Sequence, residues 1–230
     1  MSDPGRLDTV SRQSSEVAVN VKTITVGAFQ ENCYLLVDDR SNRAVIVDPG
    51  SEGERLVDAI ESSGANLDAI WITHAHVDHI MGVSAVKAAT GVPIFLHNAD
   101  RALYDALPRQ GEWMGLALEV PPPPDQELFD GQLLHLGSHE FVVKHTPGHS
   151  PGSVSFVGPG FVLGGDVLFS GSIGRTDLPG GDLATLMQSI HGVFLALPDS
   201  TIVYSGHGPE TTIGVERMTN PFLTGAYRYE

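Results

Sequence analysis

The stretch that most constrains this chain is "ITHAHVDHIMG", residues 72–82, which places three histidines and one aspartate within six positions. The apolar run "LDAIWIT" that leads into it predicts a short buried strand, and from His79 onward the pattern changes to the period of a helix. His74 and His76 lie two apart in extended chain, so their side chains leave the strand on the same side. Four candidate ligands therefore meet at the carboxyl end of one strand, where open α/β sheets place their sites.

Each of these four side chains offers a donor atom that metal ions prefer. His74, His76 and His79 supply imidazole nitrogens and Asp78 supplies a carboxylate, a donor set that suits zinc, iron(II) or manganese. A histidine-rich turn with no ligand role is the alternative, but the H-x-H-x-D-H spacing is specific enough to favour a metal site.

Three later segments repeat one plan, in which an apolar strand is followed by glycine and a candidate ligand. His149 lies in "HTPGHSPGS", Asp166 in "VLGGDVLF" and His207 in "VYSGHGPE". Glycine has no Cβ, so it lets the backbone approach a crowded centre. One histidine after a strand is more often an ordinary turn residue, whereas three such segments together favour a site for two metal ions.

The order of the predicted elements favours a fold of the α+β class. The runs "VKTITVGAF", "CYLLVDD" and "RAVIVDPG" predict a three-stranded antiparallel meander, and segments of helical period follow them. A second block of strands begins at "QLLHLG" and leads to the helix "DLATLMQSIHGVFLALP", for which Asp182 is the predicted N-cap. Two such halves can pack sheet against sheet with helices outside, as a four-layer αββα sandwich.

We expect a single domain over residues 21–230, preceded by a disordered, polar leader at residues 1–20. The leader lacks the apolar core of a secretory signal. The regular patterns stop between Pro108 and Gln126, where "PPPP" at 121–124 predicts a stiff surface connector. This stretch is either a domain boundary or a long loop inside one domain, and we favour the loop.

Composition excludes several classes of partner. The formal net charge is −15 and lysine and arginine form no cluster, so we expect no nucleic-acid partner. No run of about 18 apolar residues is present, so we expect no membrane span. The one cysteine, Cys33, cannot form an internal disulfide, and we therefore expect a reducing, cytoplasmic location. Nothing in the sequence indicates the oligomeric state.

The H-x-H-x-D-H motif and the three later segments resemble the metallo-β-lactamase superfamily over residues 21 to about 220. The resemblance implies the αββα fold and two divalent metal ions, with zinc the first choice and iron or manganese as alternatives. It implies one ion held by His74, His76 and His149. It implies a second held by Asp78, His79 and His207, with Asp166 bridging the two. Asp48 in "IVDPG" matches a position that orients a ligand histidine.

Further segments resemble the glyoxalase II-like hydrolases within that superfamily: "ENCYLL", "TPGHSPGS", "GGDVLF", "SIGRTDLPGGD" and "SGHGPETTIGVERMTNPF". Full-length glyoxalase II has a C-terminal helical domain that holds glutathione, and we expect a short form that lacks it. The implied activity is hydrolysis of a small-molecule thioester, such as S-lactoylglutathione or a related hydroxyacyl thioester, by a metal-bound hydroxide. Asp78 and Arg175 are the expected catalytic residues.

Two further features keep two interpretations each. Arg175 in "SIGRTDLPGGD" either binds a carboxylate, such as that of an acyl product, or pairs with Asp177 or Asp182 and shapes the loop. The aromatic residues Tyr104 and Trp113, with the 108–124 loop, either cover the site as a lid or pack in the core.

Two other functions compete with the hydrolase. An iron-dependent glutathione persulfide dioxygenase would use a single iron(II) on His74, His149 and Asp166. The C-terminal "TTIGVERMTNPF" favours the hydrolase group. A metal-stabilised binding scaffold is disfavoured, because structural zinc sites use four ligands and prefer cysteine.

Overall fold

A computed structural model describes residues 19–226 of the chain. The expected leader lies outside the described residues as far as residue 18, while its last two residues, Val19 and Asn20, already belong to the first strand. No helix in the described part of the chain is long and apolar enough to cross a membrane.

The first sheet contains six strands in chain order: β1 (Val19–Val26), β2 (Glu31–Asp38), β3 (Arg43–Val47), β4 (Asn66–Trp71), β5 (Ile94–His97) and β6 (Gln126–Leu128). The first three pair antiparallel, which confirms the predicted meander. From β3 to β6 the pairing is parallel. Parallel neighbours need crossover connections, and helices α1 (Gly53–Ser63), α2 (Val77–Ile80) and α3 (Val83–Thr90) supply two of them.

The second sheet has the order β14-β13-β10-β9-β8-β7. Its strands are β7 (Leu133–Leu136), β8 (His139–His145), β9 (Val154–Val157), β10 (Phe161–Gly165), β13 (Ile202–Ser205) and β14 (Thr211–Thr212). A separate hairpin contains β11 (Leu168–Phe169) and β12 (Ser172–Ile173). Helix α6 (Leu183–Gly192) lies in the parallel crossover from β10 to β13, and α7 (Ile213–Thr219) follows β14. Asp182 caps α6 as predicted, since its side chain accepts from the Thr185 N–H.

Two short helices, α4 (Arg101–Asp105) and α5 (Leu107–Glu112), lie between β5 and β6. The sequence predicted a loop from Pro108 onward, and this was wrong as far as Glu112. Pro108 lies in the first turn of α5, where its missing N–H leaves no hydrogen bond unmade. Gly111 is buried, and a Cβ there would meet Leu118 at 2.8 Å. Pro108 is therefore compatible with the start of the helix, and Gly111 allows the helix to pack closely against Leu118.

The two sheets pack face to face around an aromatic core. Trp71 of β4 lies edge-on to Phe141 of β8, with ring centroids 5.3 Å apart, and its centroid is 5.2 Å from that of Phe156 of β9. All three side chains are nearly inaccessible to solvent. Burying these rings stabilises the packing of one sheet on the other, because the favourable free energy grows with the apolar area removed from water.

Helices cover the outer face of each sheet. Leu56 of α1 and Val83 and Val86 of α3 pack against the first sheet. Leu186 and Ile190 of α6 pack against the second. The layers are therefore helices, sheet, sheet and helices, and the predicted αββα sandwich is confirmed. The segments that follow β4, β8, β10 and β13 meet at one edge of this sandwich, where the site lies.

Replacing Phe141 by alanine should destabilise the protein strongly. The ring also lies 5.8 Å from that of Phe161, so its loss opens a cavity between the sheets. We expect the free energy of unfolding to fall by about 3–5 kcal/mol, measured by urea denaturation followed by circular dichroism. Phe129→Ala is the matched control, because that ring is 57% exposed, and it should cost less than about 0.5 kcal/mol. Equal losses in the two variants would contradict the assigned core.

Candidate metal centre

The structure brings all seven predicted ligands together at the edge of the sandwich, and we call them the ligand cup: His74, His76, Asp78, His79, His149, Asp166 and His207. Two triads in the cup have donor atoms within 4.8 Å of one another. They are the triads implied by the family resemblance, one of three histidines and one of Asp78, His79 and His207.

The first triad presents three ring nitrogens to one point. Nε2 of His149 lies 2.8 Å from Nδ1 of His76 and 3.1 Å from Nε2 of His74. Nitrogens bound tetrahedrally to one zinc ion would be about 3.3 Å apart. Burial, together with the neighbouring histidines, lowers the pKa of His74 well below its usual range. Burial, reinforced by His149, lowers the pKa of His76 to about 3. Both rings are therefore neutral at pH 7, which is the form that binds metal.

Hydrogen bonds behind the cup set the ring tautomers. Three of the rings donate from Nδ1 to an oxygen outside the cup: His149 to the Arg175 carbonyl (2.8 Å), His79 to Asp48 Oδ2 (3.0 Å) and His207 to the Phe29 carbonyl (3.0 Å). Nε2 of each ring therefore points into the cup. Metal-binding histidines are typically oriented in this way by a second partner.

Asp166 lies between the two triads. Its Oδ1 is 3.5 Å from His79 Nε2, while its Oδ2 is 3.5 Å from His149 Nε2 and 3.6 Å from His207 Nε2. Burial alone would raise the pKa of Asp166, but His79 and His149 outweigh it and hold that pKa well below its usual range. Asp78 completes the second triad, with Oδ2 at 3.2 Å from His207 Nε2. One ionised carboxylate thus faces both groups of nitrogens.

Asp48, which follows β3, contacts a cup histidine as the sequence predicted. Its carboxylate accepts from the Thr73 N–H (2.7 Å) and the Thr73 hydroxyl (2.5 Å), and from Nδ1 of His79. Its φ of 50° is unfavourable for a residue with a Cβ. Asp48 also lies near His74, but these contacts already occupy its oxygens, so we assign it to orienting His79.

The donor atoms themselves fit divalent cations. His79 Nε2 and Asp166 Oδ1 are buried and have no hydrogen-bond partner among the described residues. A buried polar atom without a partner costs about 1–3 kcal/mol, and a cation would satisfy both atoms. A Cβ at Gly206 would lie 2.1 Å from Asp166 Oδ1 and 2.7 Å from His79 Cε1. Only glycine therefore fits at that position, as the glycine-flanked segments suggested.

Asp100 joins the two ligand-bearing loops, and sequence analysis did not identify it. Its fully buried carboxylate accepts from the Ala75 N–H (2.9 Å), the Ser150 hydroxyl (2.7 Å) and the Gly152 N–H (2.6 Å). Ala75 lies between the first two histidines of the cup, and Ser150 follows His149. The aspartate therefore fixes one loop against the other, although nothing in the local pattern "HNADRA" distinguishes it.

Gln110 of α5 was also missed, because it lies in the stretch interpreted as a loop. Its Oε1 accepts from the Val77 N–H (3.0 Å). Its Nε2 donates to the carbonyls of Ala75 (3.0 Å) and Leu103 (2.8 Å). This buried amide attaches α5 to the segment that carries the H-x-H-x-D-H motif.

A cavity of about 610 Å³ opens above the cup, between α4 and α5 on one side and residues 169–179 on the other. Arg175 lines it, but its guanidinium forms a two-point pair with Asp177 (2.7 Å and 2.7 Å), which is the second of its two interpretations. Tyr104 is buried and donates to the Pro122 carbonyl, so it packs in the core. Trp113 is 64% exposed and lines the cavity.

Comparisons with known proteins agree with this geometry. The family model "Metallo-beta-lactamase superfamily" matches residues 26–207. The chain is 43% identical over 209 residues to "Hydroxyacylglutathione hydrolase GloC" of Haemophilus influenzae, covering 89% of this chain and 98% of that protein. Among solved structures it is similar to the BLEG-1 B3 metallo-beta-lactamase (TM-score 0.84, 45% identity, 90% of this chain and 100% of that one). It is also similar to TTHA1623 in a di-iron-bound form (TM-score 0.82, 42% identity, 88% and 100%).

Replacing Asp100 by asparagine should weaken both the fold and metal binding. An amide NH₂ cannot accept from the backbone donors that the carboxylate serves, so we expect a stability loss of about 1–3 kcal/mol. The loosened loops should lower metal affinity by about tenfold or more, measured by competition with a chromogenic chelator.

Asp105→Asn is the matched control for this variant. Asp105 is exposed and pairs only with Arg101 in the described structure, so its stability loss should stay below about 1 kcal/mol with metal affinity unchanged. Wild-type metal affinity in a folded Asp100→Asn protein would contradict the assigned role.

Proposed function

We propose that this chain, which belongs to the metallo-β-lactamase superfamily, is a metal-dependent hydrolase of thioesters such as S-lactoylglutathione or a related hydroxyacyl thioester. The observation that carries the proposal is the convergence of two ligand triads and one shared carboxylate below an open cavity. The similarity to a hydroxyacylglutathione hydrolase over 98% of that protein's length supports the choice of substrate class.

The proposed centre holds two ions. The first would bind His74, His76 and His149, and the second Asp78, His79 and His207, while Asp166 would bind both. Zinc is our first choice, with iron or manganese as alternatives, since a di-iron form is known for the similar TTHA1623. Two such ions supply a water that loses its proton near neutral pH and a positive charge that stabilises an oxyanion.

The chain's own residues would position the reaction. Hydrogen bonds behind the cup hold its rings in place, so they need no reorientation when a substrate enters. Arg175, the second residue expected to be catalytic, lines the cavity with its side chain paired to Asp177, and its backbone carbonyl accepts from His149. Asp78 lines the cavity as a proposed ligand of the second ion.

A thioester needs little help from a side-chain acid or nucleophile. Its leaving thiol has a pKa of roughly 8.5, so it departs readily as a thiolate. The chain's one cysteine, Cys33, is buried in the core. Ser150 beside His149 is fully buried and does not line the cavity, which disfavours it as a nucleophile. The described residues around the cup thus favour attack by an activated water.

The persulfide dioxygenase is the alternative, and its single iron would be held by His74, His149 and Asp166. Nε2 of His149 lies 3.1 Å from His74 Nε2 and 3.5 Å from Asp166 Oδ2. The dioxygenase would leave Asp78, His79 and His207 without a role, and these three converge as a group of their own. We therefore favour the hydrolase.

One experiment separates the two activities. The purified protein is analysed for metal per chain, then assayed for S-lactoylglutathione hydrolysis and, in parallel, for oxygen uptake with glutathione persulfide. Two ions and thiol release without oxygen uptake are expected. A single iron with oxygen uptake would overturn the proposal.

His76→Ala should reduce turnover to the uncatalysed background while leaving the helical content nearly unchanged. The substitution removes one nitrogen from the first triad but no core side chain. Activity assays and far-ultraviolet circular dichroism measure the two effects. His135→Ala is the control, because His135 is exposed on β7 and lies outside the cup, and it should retain full activity. Full activity in His76→Ala would contradict the assigned site.

A further inference from the structure

The cavity wall contains an arginine that has no acidic partner among the described residues. Arg109 of α5 lines the cavity and forms no ion pair with any described carboxylate. Five of the other six described arginines pair with a carboxylate: Arg43, Arg55, Arg101, Arg175 and Arg217. The sixth, Arg40, is exposed and lies outside the cavity. In a chain with a net charge of −15, a cavity-lining arginine that is not paired in this way offers a positive site for an anionic ligand.

Arg109 is exposed to the cavity, and an aromatic ring contacts its guanidinium. Its central carbon lies 5.8 Å from the centroid of the Trp113 ring, which holds it by a cation–π contact and leaves its N–H groups for anionic oxygens. Trp113 is 64% exposed and Met114 is 43% exposed. Phe169 and Ile173 face them across the cavity. Large apolar side chains exposed beside one cation form a surface suited to a ligand with an aliphatic part and a charged end.

The helix that carries Arg109 is fixed relative to the cup. The next residue, Gln110, is buried and hydrogen-bonded to Ala75 and Val77 on the ligand-bearing loop. A substrate can therefore contact Arg109 and the cup at the same time only if its reacting group and its charged end are a suitable distance apart. That requirement makes Arg109 a candidate for selecting the carrier thiol.

We propose that Arg109 binds an anionic oxygen group on the substrate's thiol carrier, while Trp113, Met114 and the opposite wall hold the aliphatic part between that group and the thioester. The inference rests on the proposed thioester hydrolase. The carboxylates of glutathione and the phosphates of coenzyme A share the required chemistry, since a guanidinium binds both with paired N–H donors. A carrier without charge lacks it.

Binding of stable thioethers tests this inference without turnover. The metal-loaded protein is titrated calorimetrically with S-hexylglutathione, S-hexyl-coenzyme A and the uncharged S-hexyl-N-acetylcysteamine. Arg109→Gln should weaken binding of at least one anionic thioether about tenfold and leave the uncharged one within about twofold. The thioether that is affected identifies carboxylate or phosphate as the recognised group. Arg101→Gln is the control, because Arg101 pairs with Asp105 outside this cavity, and it should change none of the three.

Two results would overturn the inference. One is unchanged affinity of Arg109→Gln for both anionic thioethers. The other is equal weakening for all three, which would mean that Arg109 only shapes the cavity. Hydrolysis of the matching acyl thioesters is measured separately. Arg109-dependent binding without hydrolysis of any thioester would contradict the proposed function alone, whereas hydrolysis that is indifferent to Arg109 would contradict this inference alone.

Discussion

The close approach of buried imidazole nitrogens and carboxylates is the constraint on which the rest of this structure depends. Ring nitrogens about 3 Å apart in a buried cup cannot readily be protonated together, because the positive charges would repel each other. Burying such polar groups away from water also costs free energy. No single helix or hairpin supplies the seven ligands, since they follow β4, β8, β10 and β13, which belong to two different sheets. The sandwich fold brings the carboxyl ends of these distant strands together at one edge. The aromatic contacts of Trp71 between the sheets hold those ends in place.

Buried side chains that donate and accept hydrogen bonds connect the cup to the surrounding structure and hold its ligands in position. Asp48 fixes His79, Asp100 joins the loops of His74 and His149, and Gln110 attaches α5 to the first of these loops. Each of these side chains is buried and hydrogen-bonded to the groups that it connects. A buried polar side chain whose hydrogen bonds are all made adds order to a protein interior. The same attachment places α5, and with it the cavity wall, at a defined position above the cup. The proposed metal centre and the proposed substrate-binding wall would therefore depend on the same supporting residues.

The local signals in the sequence were sufficient to predict the cup, and the family resemblance added Asp48, but neither identified Asp100 or Gln110. The H-x-H-x-D-H spacing and the glycines beside His149, Asp166 and His207 are short local patterns, so the ligands were predictable from them. The αββα layers were predictable from the order of the strands and helices. Apart from Leu103, the partners that Asp100 and Gln110 bind lie 25 to 52 residues away in the chain, and no short pattern encodes such contacts. Helix α5 was missed because Pro108 and Gly111 are usual in loops, although one lies in a first turn and the other faces Leu118. For Arg175, a pair with Asp177 was one of two interpretations that sequence alone could not separate.

If these seven side chains form one site for two divalent ions, anomalous diffraction from crystals of the purified protein will show both ions directly. Data collected at the zinc, iron and manganese absorption edges locate and identify each ion. We expect two peaks inside the cup, one beside each triad and both beside Asp166. A protein expressed with these metals available whose crystals show no peak in the cup, or show metal only elsewhere on the chain, would contradict this expectation.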